Sequence, residues 1–190
     1  MSRCPGDADK ARLKAANSPQ AGNWLNVQPT DVSVGLRLFD EEIRFTVAYR
    51  LGSSICQPHE GACGSFLDAR DLHGLSCRKS APRHVRQSLI NDILWVVIKK
   101  AQVPSCKAPV VLSRSNCKRP DGAMLIPWPH GKPLAWDVTV PDTFSHSHIT
   151  ATASSAGAAA DKATCSKINK YDHLSITHNF VPFALETGHS

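Results

Sequence analysis

Five soft or borderline metal ligands fall within 22 residues, as Cys56-x2-His59-x3-Cys63-x9-His73-x3-Cys77. Zinc takes four such ligands in a tetrahedron, and short Cys/His pairs deliver two from each side of a loop. With five candidates for four places, the spacing predicts Zn2+ held by Cys56, Cys63, His73 and Cys77, with His59 as the substitute. The plainer alternative is a group of reduced thiols near surface histidines, since the spacing is irregular beside a CxxC pair. A second constellation is Arg119-Pro120-Asp121, followed by Asp137 inside the apolar run Leu134 to Val140. A carboxylate in such a strand must be paired or must hold a metal, because burying it alone is costly. Two carboxylates meeting at a hard divalent cation, Mg2+ or Mn2+, could polarise a phosphate and activate a water for in-line hydrolysis. A lysine near the developing charge assists such a step. Lys167 and Lys170, one turn apart on a predicted helix, are the candidates. On spacing alone, Asp121-Gly122 also reads as a common turn and Asp137 as a structural hydrogen-bond acceptor. A third group, Arg83-His84 with Asn91 and Asp92, suits phosphate contact at a helix start or simple capping. Trp128 and Trp136 read as core residues before base-stacking platforms.

The elements that must position these residues follow from periodicity. Residues 1 to 22 are small, polar and broken by Pro and Gly, which predicts a flexible lead-in. Phe39, Ile43, Val47 and Leu51 recur every four positions, so 23–52 contains an amphipathic helix with Asp40 placed to cap it and Gly52 to end it. Residues 53–82 hold too few large apolar side chains to fold without a metal. A second helix runs from Arg83 to Ala101, with an apolar stripe of Leu89, Ile90, Ile93, Leu94, Val97, Ile98 and Ala101. Strands are predicted over 109–112, 123–128 and 134–140, separated by Pro120-Asp121-Gly122 and Pro129-His130-Gly131. A small-residue helix follows over 154–171, then a strand over 179–185 demoted to an edge or bulge by Pro182. The expected fold class is α/β (α+β), and residues 83–190 read as helix, three strands, helix, strand.

Composition narrows the function classes. The chain has 190 residues, 42% hydrophobic and 20% charged, which suits a folded domain and not a disordered one. Its longest apolar run, Ile93 to Ile98, is far too short to cross a bilayer. The first ten residues carry no apolar signal region, so a thiol-reducing intracellular setting, nuclear or cytoplasmic, is expected. Seven cysteines are an odd number, which argues against a fully paired disulfide framework. Net charge is +6, yet the stretch from Arg70 to Pro120 holds eleven Lys or Arg against two acids. A basic block of that kind fits a phosphate-backbone surface, or a solvated basic face. Its candidate nucleic-acid contacts are Arg78, Lys79, Arg83, His84, Arg86, Lys118 and Arg119.

The motifs in order carry a resemblance. Leu51-Gly52, Cys56-Gln57-Pro58-His59, Cys63-Gly64, Leu72-His73-Gly74-Leu75-Ser76-Cys77-Arg78, Arg83-His84, Lys118-Arg119-Pro120-Asp121-Gly122, Trp136-Asp137, Lys167-x2-Lys170-Tyr171 and Phe180-Val181-Pro182-Phe183-Ala184-x-Glu186-Thr187 are the residues concerned. Over roughly residues 22 to 188 the chain resembles the region behind the reverse transcriptases of animal retroelements. That region looks like the restriction-like endonuclease of site-specific non-LTR retrotransposons, in which a Cys/His zinc knuckle precedes a PD-(D/E)xK nuclease core. The resemblance implies a restriction-endonuclease-like core with a central mixed sheet over 83–190 and a zinc knuckle over 53–82. It implies that Asp121 is the Asp of the PD motif and Asp137 the second Mg2+ ligand, with Thr139 where the motif would have its Lys. The lysine role passes to Lys167 first and Lys170 second, with His84 near the site. Similar sequences carry a Cys where this chain has Gly61, and the chain has no polymerase Asp-Asp motif. The implied function is a Mg2+-dependent DNA endonuclease (a hydrolase), alternatively a catalytically inactive zinc-dependent nucleic-acid-binding remnant. DNA is the implied partner, RNA of a parent element a further one, with neither a membrane nor a small-molecule substrate expected.

Overall fold

Alternation in Leu134-Ala135-Trp136-Asp137-Val138 sends every second side chain to one face of a strand, and this decides where Asp137 points. The computed structural model describes residues 6–19, 21–23, 39–61, 63–77, 79, 81–113, 118–127 and 131–188. Its elements are α1 (Asp7–Ala16), α2 (Asp40–Leu51), β1 (His59–Glu60), β2 (Phe66–Leu67), α3 (Leu72–Ser76), α4 (Ala81–Lys100), β3 (Ser105–Lys107), β4 (Gly122–Pro127), β5 (Pro133–Thr139), α5 (Ile149–Ser154), α6 (Ala158–Tyr171) and β6 (Asn179–Ala184). Two compact units form, one from Pro82–Pro141 with Ala160–Leu185, the other from Met1–Ala81, Asp142–Ala159 and Glu186–Ser190.

The first of these units holds a mixed four-stranded sheet in the order β3-β4-β5-β6. β3 and β4 are antiparallel, as are β4 and β5, while β5 and β6 run parallel in the register Asp137 opposite Pro182. A parallel pair needs a long crossover, and the chain supplies it between Thr139 and Asn179. Helix, three strands, helix, strand is the order expected from the sequence, in a mixed α/β fold. Ile98, Met124, Trp136 and Val138 pack together on one side of the sheet, with Ile90, Leu94 and Trp95 of α4 against them. Ala123, Ala135, Tyr171 and Leu174 form the cluster on the other side. The α4 stripe is therefore split: Leu89, Ile93 and Val97 stay exposed on the helix's outer side.

Two expectations are corrected by local geometry. Residues 110–112 form a 3-10 turn, not a strand, because Ala108 enters the left-handed region and turns the chain out of the ladder. The first strand of the sheet is Ser105–Lys107, paired with Gly122 to Met124. The helix expected over 154–171 starts only at Ala158, as α6, because Gly157 has a φ of 84° outside the helical region, and the short α5 that precedes it was not expected. Trp128, the last residue of the predicted 123–128 strand, and the Pro129-His130 turn lie outside the described residues.

The second unit contains a helix where a flexible lead-in was expected. α1 buries Ala11 and Ala15, one turn apart, and packs on α5. Methyl-sized contacts of this sort leave no periodic signal of large apolar residues. α2 forms where expected and Gly52 closes it in the left-handed region, but its N-cap is Phe39 and not Asp40, with Phe39 N–H donating to Glu42, and Phe39, Ile43, Val47 and Leu51 stay exposed. Glu186 is buried, accepting from Ala159 N–H at 2.6 Å and from the Thr143 hydroxyl at 3.1 Å, so its carboxylate caps the first turn of α6. No helix among the described residues is long and apolar enough to cross a membrane.

Gly122 has a steric duty. A Cβ there would lie 2.0 Å from Trp136 Cζ2. Gly122→Ala is expected to destabilise the sheet unit by about 1–3 kcal/mol through overpacking, lowering the thermal midpoint by about 2–4 °C per kcal/mol. Melting followed by circular dichroism checks this, and an unchanged midpoint would mean that Trp136 moves aside at no cost.

Candidate active site

Asp137 lies on the face of β5 opposite Trp136 and Val138, and it is only 3% exposed. Such a carboxylate needs a positive partner and full hydrogen bonding. α6 provides both from one face, because Lys167 and Tyr171 are one turn apart. The Lys167 ammonium is ion-paired with Asp137 Oδ2. The Tyr171 hydroxyl stands 3.0 Å from Asp137 Oδ1 and 2.7 Å from the Arg119 carbonyl, with one proton to give to either. Lys170 Nζ donates to that same hydroxyl at 2.7 Å. Burial draws the Lys170 ammonium below its usual value, against the opposing pull of Asp137.

Asp121 sits where β4 begins, with its N–H on the Trp136 carbonyl at 2.9 Å. Its Oδ2 accepts from Val138 N–H at 2.7 Å, while Gln87 Nε2 of α4 donates to the Val138 carbonyl at 2.9 Å. Two side chains thus hold the Val138 backbone beyond the end of the β4 ladder. Burial, and next the negative charge of Asp137, raise the Asp121 carboxyl above the ordinary range, while the Val138 amide, Lys167 and Gln87 counter them. Gly122 pairs with Trp136 across the ladder, which sets Asp121 beside Asp137, and the pair resists holding two negative charges. Two carboxylates of this kind suit a hard divalent cation.

Asp121, Asp137, Lys167 and Lys170 lie together, with Lys167 on Asp137 and Lys170 on the Tyr171 hydroxyl. His84 is exposed at the start of α4, and the α4 residue that reaches the carboxylates is Gln87, which sequence reasoning missed. Asn91, one turn on, accepts from Trp136 Nε1 at 2.9 Å. Polar residues four apart on an otherwise apolar inward face were the available signal for both. Tyr171 was also missed as a site residue, although an aromatic hydroxyl one turn beyond Lys167 pointed to it. Lys118 and Arg119 are exposed immediately before Asp121, Lys79 is exposed, and Arg86 is half-buried. Arg78 and the Arg83 side chain lie outside the described parts of the structure.

The Cys/His segment gathers three of its five candidates. Cys63 stands in the turn between β1 and β2, His73 lies in α3, and Cys77 is the C-cap that ends it, with its N–H on the His73 carbonyl. Their ligand atoms lie within 4.8 Å of one another, with Cys63 Sγ 3.3 Å from His73 Nε2. Asp71 steadies α3 by accepting from Gly74 N–H at 3.1 Å. Hydrogen bonds from Ser65 first, then from His73 and Cys77, lower the Cys63 thiol to about 6. A thiolate beside imidazole and a second thiol could hold a metal ion, and the donor set is compatible with zinc.

Cys56 and His59 stand outside that cluster, which corrects the predicted four-ligand set. The Cys56 thiol rests on the Asp68 and Ala69 carbonyls, at 3.7 and 3.8 Å. Desolvation, with Asp71 and Asp68 nearby, raises it, so it is the poorer thiolate. His59 Nδ1 lies 2.9 Å from the Gln57 carbonyl. At Gly61, a Cβ would meet Leu67 at 3.0 Å, so a larger residue there would press on the one buried side chain of the hairpin.

Comparison with family models, curated proteins and solved structures returns no match for the chain.

Two predictions follow from this geometry. Cys63→Ser and His73→Ala should each abolish stoichiometric zinc in the purified protein, whereas Cys56→Ser should retain it; zinc lost equally from Cys56→Ser would restore the larger ligand set. The Asp121 shift has a definite sign. A carboxyl raised in the folded state costs stability above its raised value, and the cost vanishes as pH falls below the unfolded value near 4. Asp121→Asn keeps the Val138 hydrogen bond and removes the charge. In buffer without magnesium it should melt higher than the wild type at pH 7, by about 2–4 °C per kcal/mol, with the gap closing towards pH 4. A variant that melts lower at pH 7 would contradict this.

Proposed function

We propose that this chain is a metal-dependent DNA endonuclease domain with a restriction-endonuclease-like core, of retroelement type, hydrolysing phosphodiester bonds. The observation that carries the reading is the convergence of Asp121 and Asp137 on adjacent strands, with Lys167 of the following helix against Asp137. The order of elements and the mixed sheet support it. Asp121 and Asp137 would hold Mg2+, which when bound supplies neutralisation of charge on the phosphate.

The chain's own groups do the remainder. Gln87 and the Val138 amide fix Asp121. Lys167 carries its protons at Asp137 Oδ2, from where it can donate a hydrogen bond to a phosphoryl oxygen as negative charge develops there. Tyr171 orients Asp137 from the other oxygen. Lys118 and Arg119, exposed next to Asp121, meet the phosphate backbone. The Cys63, His73 and Cys77 cluster gives the small Cys/His segment its zinc-held fold.

A second reading has its own observation. Both oxygens of Asp137 are engaged by protein groups, Lys167 on one and Tyr171 on the other. That arrangement also suits a nucleic-acid-binding remnant in which the pair has become structural. Supercoiled plasmid with Mg2+ or Mn2+ separates the two. The wild type should nick, and Asp121→Asn and Asp137→Asn should each lose at least about 100-fold, the scale of removing a charge-stabilising group. Binding should weaken steeply with salt in all three proteins. A folded, zinc-loaded wild type that binds plasmid without nicking it makes the chain a binding module.

A further inference from the structure

Beside the carboxylates, the sheet unit has a cavity that the hydrolytic reading leaves unused. It has a volume of about 310 Å3, opens to solvent, and is lined by Ile168, Tyr171, Ser175, His178, Asn179 and Phe180, with the exposed acid Asp172 among them. That size is near the lower end for ligand sites and matches one flat heterocycle with its sugar better than a larger molecule. Its position is set by the β5 and β6 ladder. Asn179 and Phe180 pair with Leu134 and Ala135, whereas Asp137 pairs with Pro182. The cavity residues thus lie two and three strand positions from Asp137, about 7–10 Å at the rise of a β-strand. Tyr171 belongs to both places, forming part of the cavity wall while its hydroxyl stands on Asp137.

The chemistry of the wall is equally specific. Phe180 is half-buried, its ring 4.8 Å from that of Tyr171, and offers an aromatic surface. His178 adds an imidazole edge, and Asn179, whose Nδ2 donates to the Lys132 carbonyl at 3.4 Å, adds an amide edge. The His178 Nδ1 is 2.9 Å from the Thr177 hydroxyl, which turns recognition over to Nε2. Burial lowers the His178 imidazolium from its ordinary value, so the ring is a neutral hydrogen-bonding group at pH 7. The Lys132 ammonium donates to the carbonyl of Ser175, one of the lining residues, at 2.7 Å, which brings a cation to this part of the surface. Aromatic face, hydrogen-bonding edges and an adjoining cation are the three parts of a nucleotide-recognition site.

We infer that this cavity takes one unstacked nucleobase of the bound strand, stacked on Phe180 and contacted at its edge by His178 and Asn179, with Lys132 on a neighbouring phosphate. The inference rests on the nucleic-acid reading above and adds that the substrate presents an unpaired or flipped base close to the phosphate held at Asp121 and Asp137. An enzyme with such a subsite gains selectivity for distorted or single-stranded junctions, where unstacking is cheapest.

The test uses oligonucleotides in which 2-aminopurine replaces single bases, alongside a fully paired duplex of the same length carrying fluorescein. On binding the full-length protein, 2-aminopurine should be quenched at one or two positions and not elsewhere. Phe180→Leu, which keeps the apolar contact with Tyr171, should remove the position-specific quenching. Losing one stacked base should also weaken binding of the unpaired strand by about 5- to 150-fold. His178→Ala, at a partly exposed position, carries the same test should Phe180→Leu fail to fold, with a loss of about five-fold. Both variants should bind the paired duplex within two-fold of the wild type, with the same salt dependence. Salt-dependent duplex binding without any position-specific quenching would overturn the cavity inference and leave the nucleic-acid reading standing. Failure to bind either oligonucleotide would overturn both.

Discussion

A carboxylate withdrawn from water at the centre of a strand governs the sheet unit. Asp137 could not be accommodated among Ala135, Trp136 and Val138 without an answering charge. Lys167 supplies that charge and Tyr171 fills the second oxygen, which obliges α6 to cross β5 with that one face inward. The same strand sends Trp136 and Val138 to its other side, into the cluster against α4. Core and site are therefore built from alternate residues of one segment, and neither can be shifted in register without losing the other.

Much of this was legible from residue types. The acid inside an apolar run announced Asp137, Lys167 and Lys170 were found by helical spacing, and the main helices and strands of residues 81–184 fell near their expected positions. What escaped notice has physical causes. The valines at 110 and 111 look like strand residues but lie on a 3-10 turn, and Val111 is 95% exposed, because β propensity counts only where a ladder partner exists. α1 is held by alanine packing, which hydrophobic patterning does not register. Gln87 matters through the backbone of Val138, a partner 51 residues away that no local pattern reveals. Glu186 was visible as a motif residue, yet its place at the α6 N-terminus depends on a chain reversal that only the fold supplies.

The Cys/His segment shows how environment outranks spacing in choosing ligands. Cys56 and Cys63 are equivalent in sequence terms, seven positions apart. Hydrogen bonds from Ser65, His73 and Cys77 lower the Cys63 thiol, whereas desolvation, and then Asp71 and Asp68, raise that of Cys56. Cys63 stands with His73 and Cys77, while Cys56 rests on the Asp68 and Ala69 carbonyls and does not join them. The short hairpin and five-residue helix that carry the ligands enclose little apolar material beyond Leu67, so a bound ion would contribute much of their cohesion.

Asp121 stands at a cost that its hydrogen bond does not require. The Val138 amide would be served as well by an asparagine, which would remove the second negative charge beside Asp137. The sheet unit therefore folds around a charge that its own cohesion does not ask for.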